Sequence, residues 1–441
     1  MTGLLDRLKG LFHRTTDGIG DVIDDGIDII DDGIDVINDT FDDLGDQLQA
    51  ASDQFLSDAG PDVFNAALGT IAQVHNAVAD LLGDDGGVHD GDLPWELAHG
   101  HAMMSKDGTV IRHPSSADEL DTIVLKNGNL LGARKWEMLD PGWAEALIQW
   151  MKHYFDRADF VTNPALIEID NNATIAIAGD WGTGPFETNA PSVLVGRQMA
   201  ARNPDYTIHL GDTYYAGTTN EEDHNMVGWP HGSKGSFTLN SNHEMYSGAY
   251  GYFNLLKEFP AQNGTSYFAL VNDHWLFIGL DSAYAADAQN LYMDGQLNDE
   301  QIMWLRTLPG DRRTVMLSHH QPYDITGKEQ QQIYTEVSGA LGKDPDYWYW
   351  GHLHNGIWYK DLNDSGFEGR CVGHGAIPVG EASMLRDCED RVVWTETDSA
   401  GDPHYPERVL CGFIEVVLDG AEIRETMLGE DGSVRWTNQP L

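Results

Sequence analysis

Residues 173–180 read ATIAIAGD and residues 206–212 read YTIHLGD. Each is a short apolar, β-branched run that stops at a Gly-Asp pair, the pattern of a buried strand ending in a turn. Between them SVLVGRQMAAR (192–202) has helical spacing. The same alternation continues downstream. WLFIGLDS (275–282) and TVMLSHH (314–320) are strand runs, and QLNDEQIMWLRTL (296–308) is a helix opened by Asn298 or Asp299. DYWYWGHLH (346–354) is a further strand running into a histidine-rich turn. Strands alternating with helices imply an α/β sheet, which places ligands at the carboxyl ends of its strands. The tail, 412–436, carries turn signals at Asp419-Gly420 and Asp431-Gly432 and is expected to form antiparallel strands.

Upstream the chain has a different character. From Ile23 through Ile27, Ile30, Ile34, Ile37, Phe41 and Leu44 to Leu48, apolar residues alternate at spacings of four and three. That is the stripe of a heptad-bearing acidic helix, weakened by Gly26 and Gly33 at about 1 kcal/mol each. A helix with one apolar edge needs a partner, so self-association through it is expected; the alternative is a flexible acidic arm. We divide the chain into a heptad-bearing helical region (1–82), a Gly/Asp-rich linker (83–94), a mixed lead-in segment (95–170) and the α/β domain (171–441). In the lead-in, TIVL (122–125) is expected as a strand and PGWAEALIQWMKHYF (141–155) as an amphipathic helix; His99 and His101 read as surface histidines.

The 441 residues carry 26 Lys and Arg against 71 Asp and Glu, a formal charge of −45. Polyphosphate backbones and anionic lipid surfaces would repel such a chain, so neither nucleic acid nor membrane is an expected partner. Hydrophobic residues make up 41%, enough for a large core. The three cysteines, Cys371, Cys388 and Cys411, include no Cys-x-x-Cys, which argues against a disulfide framework and against a cysteine-based zinc site. No apolar run is long enough to span a bilayer. Asp6, Arg7, Lys9 and Arg14 interrupt the N-terminal apolar residues, so no secretory signal is read. A cytoplasmic location is expected, leaderless export being the alternative.

Five polar clusters fall at or just after strand ends: GDWG at 179–182, GDTYY at 211–215, SNHE at 241–244, SHH at 318–320 and GHLH at 351–354. Alone, each is an ordinary turn. Together they present Asp, Asp, Asn, His and His-x-His on one sheet edge, and carboxylates and imidazoles are ligands suited to Fe, Mn and Zn. A carboxylate can bridge two ions, and two ions about 3.5–4 Å apart can hold both the attacking and the leaving oxygen at phosphorus.

This ordered set resembles the calcineurin-like metallophosphoesterases, and more closely their purple acid phosphatase branch, over roughly residues 173–436. The resemblance implies a four-layer β-sandwich flanked by helices (α/β, or α+β), with the acidic helical region as an extension. It also implies hydrolysis of a small phosphate-ester substrate, taken to be a monoester, at two metal ions: Fe(III) plus a divalent ion (Fe, Zn or Mn). Gly182 stands where most of the superfamily has a metal-binding histidine, and Tyr215 stands at the position of the branch's ligating tyrosine. Carried over, Asp180, Tyr215 and His354 hold one ion, and Asn242, His352 and the strand-end histidine hold the other. Asp212 bridges them, and His243 contacts the phosphoryl group and protonates the leaving oxygen.

Some positions depart from the family's pattern or leave a choice. Ser241 replaces a usual glycine. His319 is preferred as the strand-end ligand, with His320 assigned to substrate contact; Tyr214 adjoins Tyr215, and spacing favours the latter. His374 reads as a loop histidine. The ligand set alone does not separate a phosphomonoesterase from a phosphodiesterase acting on cyclic nucleotides or lipid head groups. The loops expected to decide that are 216–241 and 321–345. A non-catalytic scaffold built on the N-terminal helices is the rival from another class.

Overall fold

The computed structural model describes residues 122–131, 134–137, 140, 142–364 and 366–438. The heptad segment, the linker and the His99/His101 pair lie outside them. The chain divides into two compact units, one of residues 1–125 and 131–155 and one of 126–130 and 156–441. The first includes strand β1 (Ile123–Val124) and helix α1 (Gly142–His153), at the places expected for a strand and a helix. The short strand β2 is Leu130–Leu131.

The second unit is built on two sheets. One is formed by β4 (Thr174–Ala178), β5 (Tyr206–His209), β6 (Gly235–Thr238), β14 (Gly412–Asp419), β15 (Glu422–Gly429) and β16 (Val434–Thr437), in the order β16-β15-β14-β4-β5-β6. The other contains β3 (Leu166–Glu168), β7 (Phe268–Val271), β8 (Trp275–Gly279), β9 (Arg313–Ser318), β10 (Tyr347–Trp350), β11 (Gly356–Tyr359), β12 (Glu368–Val372) and β13 (Val392–Thr395), in the order β13-β11-β12-β10-β9-β8-β7-β3. The chemistry-bearing strands pair in parallel, β4 with β5 and β9 with β10. The tail pairs antiparallel, as its turn residues require.

The period-2 alternation of the strands creates four layers. Ile175, Ile177, Ile208 and Phe237 of the first sheet meet Phe277, Val315, Leu317 and Tyr349 of the second in one central core. The outward residues of the second sheet, among them Leu276, Ile278, Met316 and Trp348, pack on α6 (Asp299–Leu305) and α7 (Gln332–Leu341) through Leu305, Ile333 and Val337. On the other side Ala176, Ala178 and Phe413 pack on Val195 and Met199 of α2 (Pro191–Ala201). Helix α6 starts where its cap residue predicts, the Asn298 side chain accepting from the Gln301 amide. The fold is thus the mixed α/β helix–sheet–sheet–helix sandwich expected from the sequence. Among the described residues, no helix is long and apolar enough to cross a membrane.

Between the strands run α3 (Thr219–Asn225), α4 (Asn242–Tyr246) and α5 (Tyr250–Leu255). The first two begin or end beside the clusters described next.

Candidate metal centre

The carboxyl ends of β4, β5, β9 and β10 bring four of the clusters to one place, and the N-terminus of α4 supplies the fifth. Four of the residues involved hold left-handed backbone: Asp180 (φ 57°), Asp212 (φ 76°), His352 (φ 66°) and His354 (φ 51°). Non-glycine residues seldom adopt it, and such strain persists where the surrounding fold imposes it, commonly at functional sites.

Asp212 is fully buried at the centre. Its Oδ1 lies 3.2 Å from His319 Nε2. Its Oδ2 accepts from the Tyr214 hydroxyl at 2.8 Å and lies 3.8 Å from both His354 Nε2 and His243 Nε2. On the Oδ1 side, His319 Nε2 is 2.8 Å from Asn242 Oδ1 and 3.1 Å from His352 Nδ1. On the Oδ2 side, His354 Nε2 is 3.3 Å from Asp180 Oδ1 and 3.1 Å from the Tyr214 hydroxyl. The opposite ring nitrogen of His319, Nδ1, is 2.9 Å from the Leu210 carbonyl. Donation there leaves the Nε2 lone pair facing the cluster, as metal-binding histidines are generally held. Among the described residues, two groups could hold a metal ion: Asp180, Asp212 and His319, and His319, His320 and His352.

The electrostatics suit a cation. Burial, then the charge of Asp212, push the Asp180 carboxyl up. Burial works the same way on Asp212, but His243, His319 and His354 carry it well below the usual carboxylate range. Burial lowers His319 to about 4 and holds His352 well below an ordinary histidine, so both offer neutral nitrogens. Two buried carboxylates beside the neutral rings of His319 and His352 and an amide oxygen are a donor set that a positive ion completes. Against the effect of burial, the same carboxylates hold His354 up at about 9, where a bound ion would displace its proton.

The structure brings Asp180, Asp212, Asn242, His243, His319, His352 and His354 together. The structure places the Tyr214 hydroxyl among them, whereas the sequence spacing favours Tyr215. Tyr215 is tied through its backbone: its amide donates to Glu221 and its carbonyl accepts from His243 Nδ1 at 2.6 Å. His320 also differs from expectation. It has no exposed surface; Nδ1 pairs with the Ser282 hydroxyl at 2.9 Å and Nε2 with the Tyr292 carbonyl at 2.8 Å. Both nitrogens are paired within the protein, while the ring stays close enough to His319 and His352 to belong to a group that could hold a metal ion.

Gly182 has a steric reason. A Cβ there would lie 2.4 Å from the Asp212 carbonyl oxygen and 2.7 Å from Thr213 Cα. The first two clusters pack backbone on backbone, with the Gly182 amide donating to Asp212 and its carbonyl accepting from Tyr214. The Tyr214 hydroxyl reaches the cluster instead. Ser241, the departure from glycine, caps α4 by accepting from the His243 amide and donates to Asp212 Oδ1.

Other contributors were not read from the sequence. Met293 Sδ lies 3.9 Å from Asn242 Nδ2, so the loop over 284–295 borders the centre; neither loop expected to do so includes it. No composition signal marks that loop. Glu221 did leave a signal: Thr218-x-x-Glu221 is a capping box, and both of its reciprocal bonds are present at the start of α3.

A sequence model of the calcineurin-like phosphoesterase family matches residues 173–356. Among solved structures the chain is similar to GAP50, the anchor in the inner membrane complex of Plasmodium, at 14% identity and a TM-score of 0.40, over 61% of this chain and 88% of that one. It is also similar to a conserved uncharacterized protein of Streptococcus pneumoniae TIGR4, titled a predicted phosphoesterase, at 11% identity and a TM-score of 0.28, over 60% of this chain and 96% of that one. No curated protein matches the sequence. All five strand-end clusters fall inside the span the family model matches, and residues 173–356 are a calcineurin-like phosphoesterase domain, of a family whose hydrolysis of phosphoesters depends on metal.

Proposed function

We propose that this protein hydrolyses phosphate monoesters at a dinuclear centre of the purple acid phosphatase type, holding Fe(III) and a divalent ion (Fe, Zn or Mn). The observation that carries the reading is the division of labour at Asp212. One of its oxygens faces His319, Asn242 and His352, and the other faces Tyr214, His354 and Asp180. A carboxylate with a separate ligand group at each oxygen is placed to bridge two ions. We assign the tyrosine position to Tyr214, and the strand-end ligand to His319.

Bound there, the ions supply an activated water and neutralise developing charge on the phosphoryl oxygens. The chain supplies the geometry. Asp180 is oriented by the backbone amide of His352, which donates to both its oxygens at 3.1 and 2.9 Å. His243 donates Nδ1–H to the Tyr215 carbonyl, which leaves Nε2 as the atom that passes a proton to the leaving oxygen. Almost complete burial of Asp180, Asp212, Asn242 and His319 keeps bulk water from competing for these groups.

The test is a parallel screen of aryl phosphate monoesters and diesters with the full chain loaded with iron, zinc or manganese. Turnover of monoesters, abolished by Asp212→Asn and by His352→Ala, is the expected result. Turnover confined to diesters replaces the substrate class, and hydrolysis unchanged in Asp212→Asn overturns the reading.

A further inference from the structure

Helix α3 has seven residues, and three of them spend their side chains on the loop that carries the tyrosine. Glu221 accepts from the backbone amides of Tyr215, Ala216 and Thr218 and from the Thr218 hydroxyl. Glu222, fully buried, accepts from the Thr213 hydroxyl at 3.0 Å. Asn225, also buried, donates its two amide hydrogens to two carbonyls of different loops: Gly182 at 3.2 Å and Tyr214 at 2.8 Å. Two carbonyl oxygens can be matched only by the NH2 end of an amide, so the side chain has one orientation.

We propose that Asn225 is a positioning residue for metal binding: by tying the Tyr214 carbonyl to the Gly182 carbonyl it fixes which of two adjacent tyrosines turns its hydroxyl toward the carboxylates. The inference rests on the dinuclear reading above. Its physical basis is the backbone. Adjacent residues send their side chains in different directions, so the orientation of the Tyr214 peptide decides whether residue 214 or residue 215 faces Asp180 and Asp212. Asn225 grips that peptide by its oxygen, and Glu221 grips the same peptide by its nitrogen. Glycine at 182 lets the two loops approach closely enough for one side chain to span both carbonyls.

Asn225→Asp tests this, because a carboxylate of the same shape offers no hydrogens to two carbonyl oxygens. The measurement is retention of ferric iron by the full-length protein against a chelator, together with the visible tyrosinate-to-iron absorption. Loss of such a supporting hydrogen bond weakens metal binding about ten- to a hundredfold, and the same loss is expected here, with the absorption shifted or bleached. In a Tyr214→Phe background Asn225→Asp should add nothing further, since Asn225 acts through that tyrosine. Should Asn225→Asp fail to fold, Glu221→Gln keeps the loop's shape, removes a charge from the grip on Tyr215, and is expected to show a smaller loss that also disappears in the Tyr214→Phe background. Equal losses with and without the Tyr214 hydroxyl would reduce Asn225 to a structural residue. Bleaching by Tyr215→Phe and not by Tyr214→Phe overturns the proposal outright. In both cases a wild type that hydrolyses phosphoesters leaves the functional reading standing. A wild type that neither retains metal nor turns over any ester overturns both.

Discussion

Arg370 of β12 and Glu425 of β15 join the two sheets through a fork of hydrogen bonds buried in the centre of the sandwich. Nε meets Oε1 and Nη2 meets Oε2, each at 2.9 Å. The Tyr349 hydroxyl donates to the same carboxylate at 2.7 Å, and the guanidinium lies 3.7 Å from the Trp358 ring centroid. Removing the Glu425 charge leaves the buried guanidinium with the half-buried Glu368 carboxylate, 3.1 Å from Nη1, as its counter-charge. Glu425→Gln is therefore expected to destabilise the fold by about 3 kcal/mol, the low end for a broken buried pair, in denaturant unfolding. Replacing both residues by apolar ones of similar volume should cost much less than the sum of the single changes. A double variant as damaged as that sum would mean that the ion pair itself, and not its stranded partner, sets the energy.

Stability should fall with acid through two histidines outside the ligand groups. Burial lowers His209 to about 3 and His374 to about 4. Unfolded, each titrates near 6.5. The fold favours the neutral ring, so its stability is complete above pH 6.5. It is lost as pH falls, because the unfolded chain takes up protons that the folded chain refuses. By pH 4 the loss amounts to about 3 kcal/mol for each ring. Neither ring nitrogen of His374 has a hydrogen-bond partner in the protein, so an apolar side chain is a reasonable substitute. His374→Met should flatten the melting temperature below pH 6.5, measured with chelator present. A slope identical to wild type would remove His374 from this account.

The loop bearing Met293 is anchored by His320. Leu291 and Tyr292 have left-handed backbone (φ 49° and 56°), and the Tyr292 carbonyl is held by the His320 ring. Ser282→Ala takes away the hydroxyl on the other side of that ring. A hydrogen bond worth about 1 kcal/mol corresponds to roughly fivefold. We expect KM for an aryl phosphate to rise by about that factor while metal content stays at the wild-type value. A fall in metal content would instead place His320 among the ligands.

The strands and their chemistry were legible in the sequence because they obey local rules. A buried strand must be apolar, and each of these runs stops at a polar turn, Gly-Asp for β4 and β5, so β4, β5, β8, β9 and β10 could be placed within a few residues. Strands β6 and β11 gave no such signal. GSFT is short and polar, and GIWY follows directly on the histidine-rich turn. The choice between Tyr214 and Tyr215 was illegible for a different reason. Spacing along the chain counts residues, whereas the direction of a side chain follows from how its peptide is gripped. That grip comes from Glu221 and Asn225, six and eleven positions further on. The setting of His320 was illegible in the same way: its ring is held by Ser282 and the Tyr292 carbonyl, both distant in sequence.

The contact of Gly182 with the Asp212–Thr213 backbone also bears on how such a centre can change over generations. A histidine at position 182 would need the two loops to part, because its Cβ would start 2.4 Å from the Asp212 carbonyl oxygen. Parting them would break the Asn225 span and release the tyrosine. On the proposed ligand set, exchanging the Tyr214 phenol for an imidazole at residue 182 would take both changes together, since either one alone removes a donor without supplying the other. Whichever donor an ancestral sequence adopted first, the packing at residue 182 would make that choice hard to reverse.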